Sequence, residues 1–255
     1  MKLKFLGTGT STGVPQLGCE CRVCRSTDPR DRRLRCSALV ETRGVTLLID
    51  CGPDFREQML RYHNGKLDAL LVTHHHYDHV GGTDDLRPYC RVGEGFPVYC
   101  LPDAAADMKR RMPYCFMENP YPGVPKFDIH QIKPFEPFEV KGVEVMPLPI
   151  SHSILDILGF RIGNLAYITD AKHAPQSTIN AIKDVDTLVI NALRHTPHNS
   201  HLSLAESLEI IRQVNPSQAY LTHFSHNIGL TSDLIPLLPP NVHPAQDGTE
   251  VNIRH

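Results

Sequence analysis

The chain has 255 residues, 41% apolar and 21% charged, with a formal net charge of -2. That is enough chain for a sizeable core, and the near-zero charge supplies no global field to draw it onto nucleic acid or anionic lipid. No apolar leader follows Met1-Lys2 and no run of about 18 apolar residues occurs, so a cytoplasmic protein with no membrane partner is expected, and its eight cysteines are read as reduced rather than as a disulfide framework.

Met1 to Leu6 reads as a first strand, closed by Gly7-Thr8-Gly9-Thr10, which is either a plain tight turn or a phosphate approach. Cys19, Cys21 and Cys24 follow as C-x-C-x-x-C, three soft thiolates within six residues, a pattern that favours zinc over free thiols but lacks a fourth local ligand. Arg30, Arg32, Arg33 and Arg35 read as a solvated basic face. Ser37 to Val40 and Val45 to Ile49 read as paired strands around Arg43-Gly44. The second ends in Asp50, which can orient ligands from behind and can equally cap the helix near Pro53, two compatible roles.

Leu70 to Val72 is a short apolar strand that runs into Thr-His-His-His-Tyr-Asp-His-Val-Gly-Gly, residues Thr73 to Gly82. His74 and His76 are two apart on extended chain, so their rings point the same way. Asp78 and His79 follow at the bend. Four ligand-type side chains in six residues can serve two metals, and imidazole with carboxylate suits zinc, manganese or iron. Beyond this tract, Asp84 to Tyr89 and Ala104 to Met112 read as helices and Pro97 to Cys100 as a strand. Residues Pro113 to Pro137 are rich in proline, glycine and aromatics, and are either a lid over a site or a rigid surface connection. Three further strands, Val143 to Pro149, Leu165 to Ile168 and Ala219 to Leu221, lead to His152, Asp170 and His223. Thr187 to Ile190 is another, ending near Asn191 and followed by His195, His198 and His201. Leu202 to Val214 is an amphipathic helix, and Val242 to Ile253 contains the turn Asp247-Gly248. No repeat is visible, and the pattern suggests one α/β domain spanning 1–255, built of two similar layers.

His74-x-His76-x-Asp78-His79 resembles the H-x-H-x-D-H motif of the metallo-β-lactamase superfamily, and His152, Asp170 and His223 follow in its order. Phe5-Leu6-Gly7-Thr8-Gly9-Thr10 resembles the opening of the RNase Z-like branch. Gly18-Cys19-Glu20-Cys21-x-x-Cys24, Cys36-Ser37 and Leu221-Thr222-His223-x-Ser225-His226 resemble the phosphoribosyl 1,2-cyclic phosphate phosphodiesterases. This resemblance implies a four-layer αββα sandwich and two divalent metal ions, Zn, Mn or Fe. His74, His76 and His152 would hold one metal, Asp78, His79 and His223 the other, with Asp170 bridging. It also implies a structural zinc on Cys19, Cys21, Cys24 and His226, and His201 beside the substrate phosphate. Arg87 is the one match in the segment after the histidine tract and is assigned to substrate. His226 follows His223 by three residues, so that zinc must lie within roughly 10–11 Å of chain from the active site.

The expected function is hydrolysis of a small cyclic or nucleotide-like phosphodiester by a hydroxide held between the metals, with Asp78 and His201 in catalytic roles. Lactone or thioester hydrolysis on the same site is the alternative, and a non-catalytic binding module is disfavoured by the complete ligand set. No long tRNA-gripping arm is evident, so no stable nucleic-acid complex is expected. The partner is a small phosphodiester, with a homodimer compatible with the chain.

Overall fold

The computed structural model describes the whole chain except residues 64, 91–93, 120 and 255. Among the described residues, fourteen strands form two sheets. In chain order, β1 is Lys2–Gly7, β2 Ser37–Thr42, β3 Val45–Ile49, β4 Ala69–Leu71, β5 Phe96–Cys100, β6 Phe127–Gln131 and β7 Phe138–Val140. Then come β8 Val143–His152, β9 Leu155–Ile162, β10 Leu165–Tyr167, β11 Thr187–Asn191, β12 Gln218–Thr222, β13 Val242–Pro244 and β14 Glu250–Asn252. One sheet has the order β14-β1-β2-β3-β4-β5-β6 and the other β13-β12-β11-β10-β9-β8-β7.

The two sheets share one wiring pattern. From β14 to β3 every pairing is antiparallel, and from β3 to β6 every pairing is parallel. From β7 to β10 every pairing is likewise antiparallel, and from β10 to β13 parallel. The similarity of the two layers is therefore one of backbone topology.

Parallel strands need crossovers, and helices supply some of them. The first sheet carries α1 (Phe55–Tyr62), α2 (Tyr77–Val80) and α3 (Pro102–Arg111) between its strands; the second carries α4 (Gln176–Ala181), α5 (Leu204–Val214) and α6 (Thr231–Leu234). Three apolar layers result. Leu48, Leu70 and Val98 meet Phe55 and Met108 of the helices outside the first sheet. Phe5, Leu47, Phe160 and Val189 fill the space between the sheets. Leu188 and Leu221 meet Ile179 and Ile211 outside the second. Four layers around three apolar seams make the αββα sandwich.

Most forecast elements are present, with instructive differences. Asp84 to Tyr89 lies within a 3₁₀ segment, Thr83–Tyr89, that holds Pro88. Asp50 caps nothing, because α1 starts after Asp54. Strand β9 was not foreseen. Gly159 interrupts its apolar pattern, and a Cβ there would come 2.9 Å from the Tyr167 carbonyl oxygen of the adjacent strand. In the proline-rich stretch the Gly123 carbonyl accepts from Arg87 at 2.6 Å and the Tyr114 hydroxyl donates to Asp84 at 2.7 Å. The first part of that stretch, apart from Pro120, which lies outside the described residues, is thus fastened to the 3₁₀ segment, and its later part is not a connection but the unforecast edge strand β6, paired with β5.

Candidate metal centre

The site forms at the C-terminal ends of strands, where loops can turn side chains inward. Three strand ends do this through a left-handed backbone on a non-glycine residue: Asp50 (φ 60), Asp170 (φ 55) and His223 (φ 57). Such conformations cost roughly 1–3 kcal/mol each and persist only where surroundings enforce them. Asp50 and Asp170 end β3 and β10, the fourth strand of each sheet in the shared pattern. Two close approaches set the depth of the His loop. A Cβ on Gly52 would lie 2.1 Å from the Asp78 carbonyl oxygen, and one on Gly82 would lie 2.0 Å from that of Gly52. Only glycine lets these backbones touch.

His74, His76 and His152 form one group, and Asp78, His79, Asp170 and His223 another, each with ligand-type atoms within 4.8 Å of one another. His74 and His76 rings lie 4.6 Å apart and His76 and His152 5.1 Å apart. Asp170 contacts two members of its own group and His201, and its carboxylate lies within 4.8 Å of a His152 ring nitrogen. Its Oδ2 lies 3.2 Å from His79 Nε2 and 3.1 Å from His223 Nδ1, and its Oδ1 lies 2.9 Å from His201 Nε2.

Outer partners orient these rings. His79 Nδ1 donates to Asp50 Oδ2 at 2.7 Å, and Asp50 also accepts from the Thr73 amide and hydroxyl, both at 2.8 Å. His74 Nδ1 lies 3.0 Å from the Thr73 hydroxyl, which already donates to Asp50. His152 Nδ1 lies 2.8 Å from both the Asp170 and Ser200 carbonyl oxygens. Each Nδ1 with an acceptor carries the proton, so each Nε2 presents a lone pair to the interior. His74 Nε2 and His79 Nε2 are buried there without an aligned hydrogen bond, although His79 Nε2 is 3.1 Å from an Asp78 oxygen. Buried lone pairs converging beside carboxylates, with no donor between them, are a donor set that fits metal cations.

The electrostatics agree. Burial drives the imidazoles of His74 and His76 toward their neutral forms, and that of His223 down to about 4. Asp170 is buried, yet His223 and His79 beside it hold it ionised, and Asp78 is held ionised against burial by His79. Neutral imidazoles and ionised carboxylates are the protonation states that metal ligation requires. His79 alone runs the other way: burial disfavours its charge, but Asp78, Asp170 and Asp50 raise it, a demand for positive charge at this point that a cation would equally meet.

A second cluster stands apart. Cys19, Cys21 and Cys24 place their sulfurs 3.2, 3.4 and 3.5 Å from His226 Nδ1. A tetrahedral zinc with the usual bond lengths separates such atoms by about 3.6 Å, so the set fits a closed zinc site. The Cys24 amide donates to the Cys21 sulfur at 3.4 Å and helps bring that thiol down to about 6, while burial holds Cys24 up at about 11.

Sequence reasoning missed several supporting residues. Asn191 accepts from the Ala171 amide at 2.8 Å and donates to the Ala171 carbonyl at 3.0 Å, clamping the turn that carries Asp170. Thr169 donates to Asp170 Oδ2 at 2.8 Å and Thr10 Oγ1 lies 3.1 Å from His223 Nε2. His198 lies 3.3 Å from His201 Nδ1, whereas His195 bonds the Ile228 carbonyl. Threonine or asparagine at a strand end was the available signal, but it says nothing about which turn it ties. Arg87 is a correction. Its guanidinium pairs with Asp84 and the Gly123 carbonyl, and none of its contacts is with a cluster residue.

The family model described as the beta-lactamase superfamily domain matches residues 46–224, which include every residue of the His/Asp cluster. The chain belongs to the metallo-β-lactamase superfamily. Its fold is also similar to a crystal structure described as a new diphosphatase from the PhnP family, at 37% identity and TM-score 0.91 over 98% of this chain and 96% of that one. The matched residues thus carry the whole His/Asp centre of that fold. Zn(2+)-bound PqqB from Methylobacterium extorquens shares the fold at 19% identity and TM-score 0.83, over 99% of this chain and 100% of that one. A protein of Porphyromonas gingivalis named octanoyltransferase is 43% identical over 99% of this chain, which spans only 52% of that relative's length. No described helix is long and apolar enough to cross a membrane.

Proposed function

We propose that this metallo-β-lactamase hydrolyses small phosphodiesters, such as phosphoribosyl 1,2-cyclic phosphate, at a centre of two divalent metal ions. The carrying observation is the set of seven converging side chains, in which a buried, ionised Asp170 sits against His79 and His223 of one group and within 4.8 Å of His152 of the other. His74, His76 and His152 would hold one ion, and Asp78, His79 and His223 the other, with Asp170 shared. When bound, the ions supply Lewis acidity and activate water at neutral pH. Asp50 holds His79 in one tautomer through a 2.7 Å bond. Thr169 keeps Asp170 turned inward. His201 stands 2.9 Å from Asp170 at the edge of the cluster, 13% exposed, where it can bind the phosphate and pass a proton to the leaving oxygen. The Cys19, Cys21, Cys24 and His226 set would hold a structural zinc with no open position, fixing the N-terminal loop beside the strand end that carries His223.

The 37% identical relative described as a diphosphatase supports chemistry at phosphorus. Thioester hydrolysis is the second reading, favoured by the relative named octanoyltransferase. The test is a panel on metal-analysed protein: bis(p-nitrophenyl) phosphate, a ribose 1,2-cyclic phosphate, a nucleoside diphosphate conjugate, a lactone and an octanoyl thioester. Turnover of the cyclic diester above the others is expected. Turnover of the thioester with silence on every phosphate ester would overturn the first reading in favour of the second.

A further inference from the structure

The basic run Arg30, Arg32, Arg33 and Arg35 has no part in either cluster. Three of its members, with Arg61, Tyr62 and Gln246, line a cavity of about 380 Å³ that none of the cluster side chains reaches. Resting on the diesterase reading, we propose that this cavity binds the phosphate dianion of a small phosphomonoester, the class of product that diester hydrolysis releases.

Four guanidinium groups face one carboxylate, that of Asp247, in the lining. Arg30 pairs with Asp28 and Arg61 with Glu57, but the guanidinium of exposed Arg32 makes no hydrogen bond or ion pair with a described residue. Arg33 forms the floor and is only 5% exposed. Its hydrogen bonds go to neutral oxygens alone: the Thr8 hydroxyl at 2.9 Å, the Ala245 carbonyl at 2.6 Å and the Thr231 hydroxyl at 3.1 Å. Asp247 and Asp31 attract this buried guanidinium from nearby, but neither bonds it, so its charge is only partly compensated and an anion seated above it would offset the rest. The two Asp247 oxygens accept instead from the Thr8 hydroxyl at 2.7 Å and the Leu34 amide at 2.6 Å.

The choice of a monoester follows from charge. Guanidinium binds phosphate through forked, charge-assisted bonds, and a dianion gains twice the Coulomb attraction of the singly charged diester. The cavity therefore discriminates product from substrate. It is also wired to the metal centre. The Arg33 guanidinium sits 4.4 Å over the ring of Phe224, the residue after His223, and the Phe224 amide donates to the Thr8 carbonyl at 2.9 Å. An occupant of the cavity thus presses on the strand end that carries a proposed metal ligand.

Calorimetric titration of metal-replete protein with inorganic phosphate and ribose 5-phosphate, with ribose as the uncharged control, tests the assignment. Wild type should show a phosphate-binding event that Arg32→Ala/Arg61→Ala weakens by about tenfold or more, the scale for lost charge-assisted bonds, while ribose gives none. Arg32→Gln alone should weaken the same event in part, and serves should the double variant lose its circular dichroism signature. Identical titrations of wild type and a folded variant would overturn the site, as would equal affinity for ribose. No turnover is measured, so a failed substrate panel with this event intact would sink the diesterase reading and leave the anion site standing.

Discussion

The two ligand clusters are built in opposite ways. The cysteine cluster takes three of its four side chains from six residues of one irregular loop, and three of its four members are partly exposed. The His/Asp cluster gathers its members from the ends of four strands in both sheets, and all but the half-buried His76 are buried. In the first, a loop without regular structure is held by its ligands; in the second, the ligands are held by the fold. Removing a ligand should accordingly damage shape at the first and chemistry at the second.

The largest effect that can break this contrast comes from Asp78→Ala. Activity on the best substrate of the panel should fall at least on the order of 10³-fold, as when an electrostatic partner of a transition state is removed. The melting temperature should stay near wild type, and the variant should still hold the zinc bound by cysteine. Near-wild-type turnover in metal-analysed Asp78→Ala would end the two-metal reading. His201→Ala comes next. Loss of about 10²-fold in kcat is expected, the scale for a general acid, with metal content unchanged. Loss of a metal ion instead would move His201, which already lies 2.9 Å from Asp170, into the ligand set.

Cys21→Ser probes the other side of the comparison. One zinc per chain should be lost and the His/Asp metals kept. Stability should drop by a few kcal/mol, each worth about 2–4 °C in a chain of this size. Turnover should change only severalfold, through loosening of the loop near His223. A wild-type zinc count in Cys21→Ser would show that the thiols bind no metal.

The smallest expected effect lies outside both clusters, in the lining of the arginine cavity. Burial pushes the Asp247 carboxyl up to about 6, against hydrogen bonds from Thr8 and Leu34. An unfolded aspartate titrates near 3.9. Between those values the folded chain holds more protons at this group than the unfolded chain does. Its contribution is therefore most favourable below about pH 4 and declines as pH rises through about 6. Asp247→Asn removes the titration while leaving the metal ligands common to both proteins. Paired melts at pH 4.5 and 7 should show the variant gaining on wild type at the higher pH; a gap that does not move would refute the assignment.

The residues alone determined the local chemistry. His74, His76, Asp78 and His79 lie within six positions, so chain geometry brings them together whatever the rest does, and the same is true of Cys19, Cys21 and Cys24. The apolar runs ahead of His74, Asp170 and His223 were legible as strands because buried strands need continuous apolar residues. The residue pattern suggested only one α/β domain of two similar layers; that two sheets face each other in an αββα sandwich came from the family resemblance. Only the tertiary structure decided what lies across from what. It turned Asp50 to the back of His79 rather than to a helix end, by a left-handed strand end that no local pattern signals. It tied Arg87 to Asp84, away from the ligands, and folded Arg33 from an apparent solvated face into the interior. A group's partner depends on backbone direction and on segments up to 252 residues away in the chain, such as the Arg33 guanidinium with Ala245 and the Met1 amine with Ile253, and short-range periodicity carries neither.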